Sequence, residues 1–153
     1  MTATRKLASS AAKVPVRRRV EQWGEIYGSV SEVTTGGAPG GDTYILGLAR
    51  ALYPDAYFRL VLPKEPGNVA LVRAFEQALA NGSVRGEIVW TGKPPLDRND
   101  DILDGGDVLE AFPRQDTEPA NPRVGGGTWA TVRRARKRAM PIAITPAIGD
   151  DDE

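Results

Sequence analysis

The 153-residue chain contains neither cysteine nor histidine. Without cysteine there is no disulfide framework, and nothing argues for an oxidising compartment. Without both, the usual zinc sites, a thiol nucleophile and a Ser-His-Asp triad are excluded. Any catalysis falls to Asp, Glu, Lys, Arg, Tyr, Ser or Thr, with a hard cation as the one metal such side chains suit. No apolar run approaches the ~20 residues that span a bilayer. No apolar stretch of ~7–15 residues follows the basic N-terminus, as a secretory signal requires. The expectation is a cytoplasmic protein with no membrane partner, no metal site and no cofactor. Excess charge is also lacking, because 20 basic residues balance 20 acidic ones.

What is present is ordinary for a folded domain. Hydrophobic residues make up 41% and charged residues 26%, and this length can bury a real core. The charge is unevenly placed. Arg5, Lys6, Lys13, Arg17, Arg18 and Arg19 precede any acid, and the chain ends in Asp150-Asp151-Asp152-Glu153. Residues 1–15 lack periodicity and read as a flexible basic arm, residues 16–146 as a single domain, and residues 147–153 as an acidic, disordered tail.

Within the domain, strand and helix patterns alternate. Val16, Val20, Trp23, Ile26 and Tyr27 recur at helical spacing, predicting a helix over 16–27. Strands are predicted at 31–35, 57–62, 87–91, 108–112 and 141–145. Helices are predicted from about residue 43, over 68–79 and 97–103, and from about 128 to 139. Such alternation implies an α/β fold with a doubly wound, mainly parallel sheet of about five strands flanked by helices. Ligands of such sheets sit beyond the C-terminal ends of the strands.

Two glycine-rich turns fall at those ends. The first is Thr35-Gly36-Gly37-Ala38-Pro39-Gly40-Gly41-Asp42-Thr43, and the second is Gly125-Gly126-Gly127-Thr128. Glycines there let the backbone approach a ligand, and a helix beginning just beyond aims N–H groups and a positive dipole end at it. Gly36, Gly37, Gly40 and Gly41 thus read as an anion-cradling nest, with Asp42 or Thr43 capping the helix or Asp42 contacting a ribose hydroxyl. The other reading is a tight strand–helix connection. Gly125, Gly126 and Gly127 would allow a second approach, with Thr128 capping its helix and Trp129 placed to cover a bound ring. Arg98 reads either as a bidentate phosphate contact or as an exposed arginine bonded to Asp100 or Asp101. Arg133, Arg134, Arg136, Lys137 and Arg138 lie too far along their helix to reach its N-terminus. They read as a solvated face, or as a nucleic-acid contact together with Arg17, Arg18 and Arg19.

The motifs taken together carry a resemblance. Gly36-Gly37-Ala38-x-Gly40-x-Asp42-Thr43 resembles the Gly-Gly-Ala-Arg-Gly-x-Asp turn of the SLOG superfamily. These Rossmann-like domains include the DNA-processing protein DprA and the LOG-type nucleoside-monophosphate phosphoribohydrolases. Arg98-Asn99-x-x-Ile102-Leu103-x-x-x-Asp107-x-Leu109-x-Ala111-Phe112-Pro113 is similar to the stretch before the second turn in the YspA-like branch. Gly126-Gly127-Thr128-x-x-x-Val132-Arg133-x-Ala135, then Pro141-Ile142, continues the pattern. The resemblance spans about residues 31–145. It implies a Rossmann-like domain binding a nucleotide or nucleotide-derived ligand.

The departures shape the functional expectation. LOG-type enzymes carry Pro-Gly-Gly-x-Gly-Thr-x-x-Glu, whose Glu acts in glycosidic cleavage, whereas Thr131 stands at that position here. Pro39 replaces the arginine of the first turn, removing one phosphate contact, and the loop 114–124 is an insertion. Nothing in residues 1–15 supplies the apolar first strand such domains have, so the sheet would need completing, which favours a homo-oligomer. The leading expectation is a noncatalytic binder. The alternatives are N-glycosidic cleavage of nucleoside monophosphates using Asp42 or Asp97 with Arg98, DprA-like single-strand binding, and a phage or mobile-element accessory role.

Overall fold

The computed structural model describes residues 2–3, 10–115, 117–121 and 126–148. In chain order these form β1 (Thr2–Ala3), α1 (Ser10–Tyr27), β2 (Glu32–Thr35), α2 (Gly41–Leu52), β3 (Tyr57–Leu62) and α3 (Val69–Ala80). They continue with β4 (Arg85–Trp90), α4 (Pro95–Leu103), β5 (Leu109–Phe112), α5 (Gly126–Lys137) and β6 (Ile142–Ile144). The fold is α/β, and every strand pairing is parallel.

The strands form two three-stranded sheets, β2-β3-β4 and β1-β5-β6, where one sheet of about five strands was expected. Helices cover both faces. α1, α2 and α3 bury Val16, Val20, Ile45, Leu46, Val72 and Phe75 against Val33, Phe58, Leu60, Leu62 and Phe112. On the other face α4 and α5 bury Leu103, Trp129, Val132 and Ala135 against Leu109 and Ala111. Strands sandwiched this way need apolar residues on both sides, and β5 is buried at all four positions.

Three boundaries differ from the sequence reading. α1 starts at Ser10, so residues 10–15 belong to a helix and not to the flexible arm. Pro15 lies inside this helix and removes one intrahelical hydrogen bond. Ala12 and Val16, one turn apart, are 1% and 0% exposed, and that burial carries the helix through the proline. The remainder of the arm, apart from β1, lies outside the described residues. Ala147, assigned to the tail, is buried and donates its N–H to the Pro113 carbonyl at 2.7 Å; residues 149–153 lie outside the described residues. Finally, the described residues include a first strand, Thr2–Ala3, paired with Ala111 and Phe112.

The β3–β4 ladder depends on one missing side chain. A Cβ on Gly86 would lie 1.9 Å from the Phe58 carbonyl oxygen. Gly86→Ala is expected to destabilise the fold by about 1–3 kcal/mol. Gly47→Ala, on an open position of α2, should stabilise it by roughly 0.5–1 kcal/mol. Urea unfolding of the two variants beside the parent checks both signs.

Candidate functional site

The first glycine turn leaves the C-terminal end of β2 and is held from several sides. Arg98 of α4 is 5% exposed, and its Nη1 donates to the carbonyls of Gly36 at 2.9 Å and Val61 at 3.0 Å. The guanidinium presses so closely that a Cβ on Gly36 would lie 2.8 Å from it. Gly37 has φ 65°, and a Cβ there would lie 2.6 Å from Leu60 Cδ1. Its N–H donates to Thr35 Oγ1 at 3.3 Å. The Ala38 N–H donates to Asp42 Oδ2 at 3.3 Å, and Thr43 Oγ1 donates to the Ala38 carbonyl at 3.0 Å. Asn68, which caps α3, donates in turn to Thr43 Oγ1 at 3.1 Å.

This arrangement corrects two readings. Neither Asp42 nor Thr43 caps α2: Gly40, with φ 85°, is the N-cap residue and no side-chain hydrogen bond caps the helix. Both side chains fold back onto the turn at Ala38. Arg98 is not exposed but buried under the turn, its Nη1 on the carbonyls of Gly36 and Val61. Asp97, one residue earlier, has a 66% exposed side chain 4.0 Å from Arg134. Adjacent helical residues point about 100° apart, and only one of this pair turns inward.

The second turn lies partly outside the described residues, which include Gly126 and Gly127 but not Gly125. α5 begins at Gly126, so Thr128 is its third residue and buried, not its cap. Trp129 is 2% exposed within the α4–α5 core, and its Nε1 donates to Gln115 at 3.2 Å. It is therefore a core residue and not a cover for a ligand ring. Thr131 is 1% exposed and donates to the Gly127 carbonyl at 2.8 Å. Both turns belong to the C-terminal edge of the strands. There β1 contacts both α2 and α5.

The arginines named as nucleic-acid contacts are mostly engaged with carboxylates. Arg17 pairs with Glu21, Arg133 and Arg136 both pair with Glu118 at 2.9 Å, and Arg134 pairs with Asp100 at 3.1 Å. Arg138 reaches Asp104 at 2.8 Å. The basic face of α5 is thus a seam to α4 and the loop after β5. Among the described residues no group of three or more acids is arranged to hold a metal ion. No described helix is long and apolar enough to cross a membrane.

The structure also holds a cluster the sequence reading missed. Glu110, in the middle of the apolar strand β5, accepts two hydrogen bonds from Arg19 at 2.9 Å each and one from Trp23 Nε1 at 2.9 Å. Tyr27 donates its hydroxyl to the same carboxylate. Burial alone would push the Glu110 carboxyl up, but the bonds from Arg19, Tyr27 and Trp23 outweigh it and hold the group below its ordinary value. Burial and then the carboxylate push the Tyr27 phenol up. The carboxylate likewise raises Arg19. The available signal was a lone charge in Leu109-Glu110-Ala111-Phe112, beside Arg19, Trp23 and Tyr27 spaced four residues apart on one helical face.

Comparison of the chain with protein-family models, curated proteins and solved structures finds no match.

Because the folded Glu110 pKa is lowered, its contribution is complete above the unfolded value near 4.5 and is lost as pH falls through the folded one. Glu110→Gln should therefore cost about 2–4 kcal/mol at pH 7, as Arg19 keeps its charge without a partner. The gap to the parent should narrow below about pH 4.5. Urea denaturation at pH values from 7 down to 3 measures both the gap and its direction.

Proposed function

We propose that this chain is a Rossmann-like, doubly wound domain that binds a nucleotide or nucleotide-derived ligand without turning it over. The carrying observation is the start of α2. Its N-cap residue, Gly40, offers no side chain to the first N–H groups, and the turn that presents them is pinned by Arg98, Thr35, Asp42 and Thr43. Uncapped N–H groups and the helix dipole suit a phosphate. The strand order supports the same location. From β2 the chain winds outward to β3 and β4, and from β5 it winds the other way to β6. The crevice beside such a reversal, at the C-terminal ends of the strands, is where these folds take ligands.

The role of Arg98 in this reading is to position the turn. Phosphate contacts fall to backbone N–H groups of Gly41 and its neighbours, and to the start of α5 at Gly126 and Gly127. The noncatalytic half of the reading rests on Thr131, whose hydroxyl is committed to the Gly127 carbonyl. It rests as well on Asp97, which projects outward.

Thermal-shift titration with a panel of nucleoside monophosphates, combined with native mass spectrometry, tests this. A saturating ligand should raise the Tm, since binding to the folded state alone stabilises it. Residue 39 is partly exposed on the turn, so Pro39→Asp should weaken binding by about tenfold or more and Pro39→Arg should strengthen it. Absence of any shift across the panel would sink the binding claim. Release of free base from a monophosphate would replace it with the hydrolase.

A further inference from the structure

Between the edges of β2 and β5 lies a cleft of about 400 Å³, toward the small end of the ~300–1,000 Å³ typical of small-molecule pockets. Its long walls are the strands and the residues entering them, 29–34 on one side and 105–110 on the other. One face is made by Trp23 and Tyr27 of α1, the other by Leu103 of α4 and by Met140. The glycine turns lie elsewhere, past the C-terminal ends of the strands.

Successive residues of a strand turn their backbone groups to opposite sides. The Ser31 carbonyl accepts from the Tyr57 N–H at 2.8 Å, and the Leu109 N–H donates to the Pro141 carbonyl at 2.9 Å. Those residues face their own sheets, so Glu32, Val108 and Glu110 turn backbone N–H and C=O groups toward the cleft. Among the described residues β2 is paired from the β3 side alone, and β1 meets β5 at Ala111 and Phe112. Both walls thus present donors and acceptors, and such groups inside a protein take partners.

The α1 face is held in place by Glu110. That carboxylate, 5% exposed, accepts from Trp23 Nε1 and Arg19, each at 2.9 Å, and from the Tyr27 hydroxyl. Trp23 also stacks on Tyr53 with ring centroids 6.2 Å apart. An aromatic wall fixed this way has little freedom left to lose when a ring packs on it. Met140 on the opposite face brings a thioether, which suits contact with a ring. The carboxylates of the lining are Glu32, Asp107 and Glu110, and no lysine or arginine is among the described lining residues. Arg59 lies 3.2 Å from Glu32 and Arg19 2.9 Å from Glu110. That balance repels an anion, and with two of the three acids paired it does not demand a cation.

We infer that the cleft binds a flat, uncharged bicyclic heterocycle with polar N–H and C=O or ring-nitrogen groups on both long edges, of the purine or pteridine kind and without phosphate. The ring lies in the plane of the sheets, where a strand would run at the ladder spacing of ~4.8 Å. One edge bonds the backbone of Glu32, and the other bonds that of Val108 and Glu110. Its two faces pack on Trp23 and Tyr27 and on Leu103 and Met140. A rounded aliphatic molecule would use the faces and leave both strand edges unmatched. A phosphate ester would meet the carboxylates. The site is separate from the glycine turns and stands whether or not they bind a ligand.

Calorimetric titration of the full chain with hypoxanthine tests the assignment. Hypoxanthine should bind at one site, at least tenfold more tightly than indole, which is equally flat but has a single N–H. Saturating hypoxanthine should slow hydrogen exchange at the Glu32 and Glu110 amides by about tenfold or more. Gly106 lines the cleft, and a Cβ there would meet nothing closer than 3.5 Å. Gly106→Phe should therefore occupy the space and weaken binding by about tenfold or more, while Pro39→Asp on the glycine turn leaves it unchanged. Absence of binding, indole binding as tight, or unaltered exchange at either amide would overturn the inference. So would full affinity in a folded Gly106→Phe, or affinity lost in Pro39→Asp, which would place hypoxanthine at the turn. Should Gly106→Phe fail to fold, the indole comparison and the two amides of the parent chain decide.

Discussion

A buried guanidinium sets the geometry of the C-terminal edge. Arg98 reaches from α4 across the ends of β2 and β3, donating to the Gly36 carbonyl just past β2 and to the Val61 carbonyl of β3. An arginine held this way remains charged, and its burial is tolerable only where carbonyl dipoles meet its donors. The position of α4, the spacing of the two strand ends and the path of the glycine turn are therefore coupled. Glycine at 36 follows from the contact, since any side chain would collide with the guanidinium or with Ile102. The turn's composition is thus explained twice, by packing beneath it and by the ligand proposed above it, and the two accounts act on different faces. Packing requires Gly36 and Gly37, and backbone conformation requires Gly40. Neither demands that α2 begin without a side-chain cap.

Charge inside this molecule is spent on fastening elements together. Glu110 ties α1 to β5 through Arg19, Trp23 and Tyr27, while the arginines of α5 bind acids of α4 and of the following loop. The formal neutrality of the chain has a structural counterpart in these pairs. A nucleic-acid surface needs basic groups held toward solvent, where phosphates can displace counterions. Arginines already matched to carboxylates lose part of that attraction, and so the pairing on α5 favours a role in cohesion.

The alternation of strands and helices was legible because each element carries its own period and punctuation. Tyr57–Leu62 ends at Pro63, and Asn68 caps the helix it was expected to start. The glycine turns were legible as turns. What the sequence hid was direction. Asp97 and Arg98 are neighbours, yet one points to solvent and the other into the core, and only the packing of α4 determines which. Trp129 next to three glycines read as a ligand cover, because its burial depends on where α5 settles against β5. Glu110 went unread because its partners lie 83 to 91 residues away, and no local pattern joins a strand carboxylate to a distant helix. The first strand escaped because two residues are too few to show any period.

The two sheets, β2-β3-β4 and β1-β5-β6, share no ladder among the described residues. β1 contacts both α2 and α5, whose N-termini flank the proposed phosphate site. Sheets that share no ladder can shear more easily than one continuous sheet, since no ladder hydrogen bonds between them resist sliding. Any such sliding moves the α2 start, which travels with β2, relative to the α5 start, which travels with β5. A ligand gripped by both helix ends must hold the sheets in one relation.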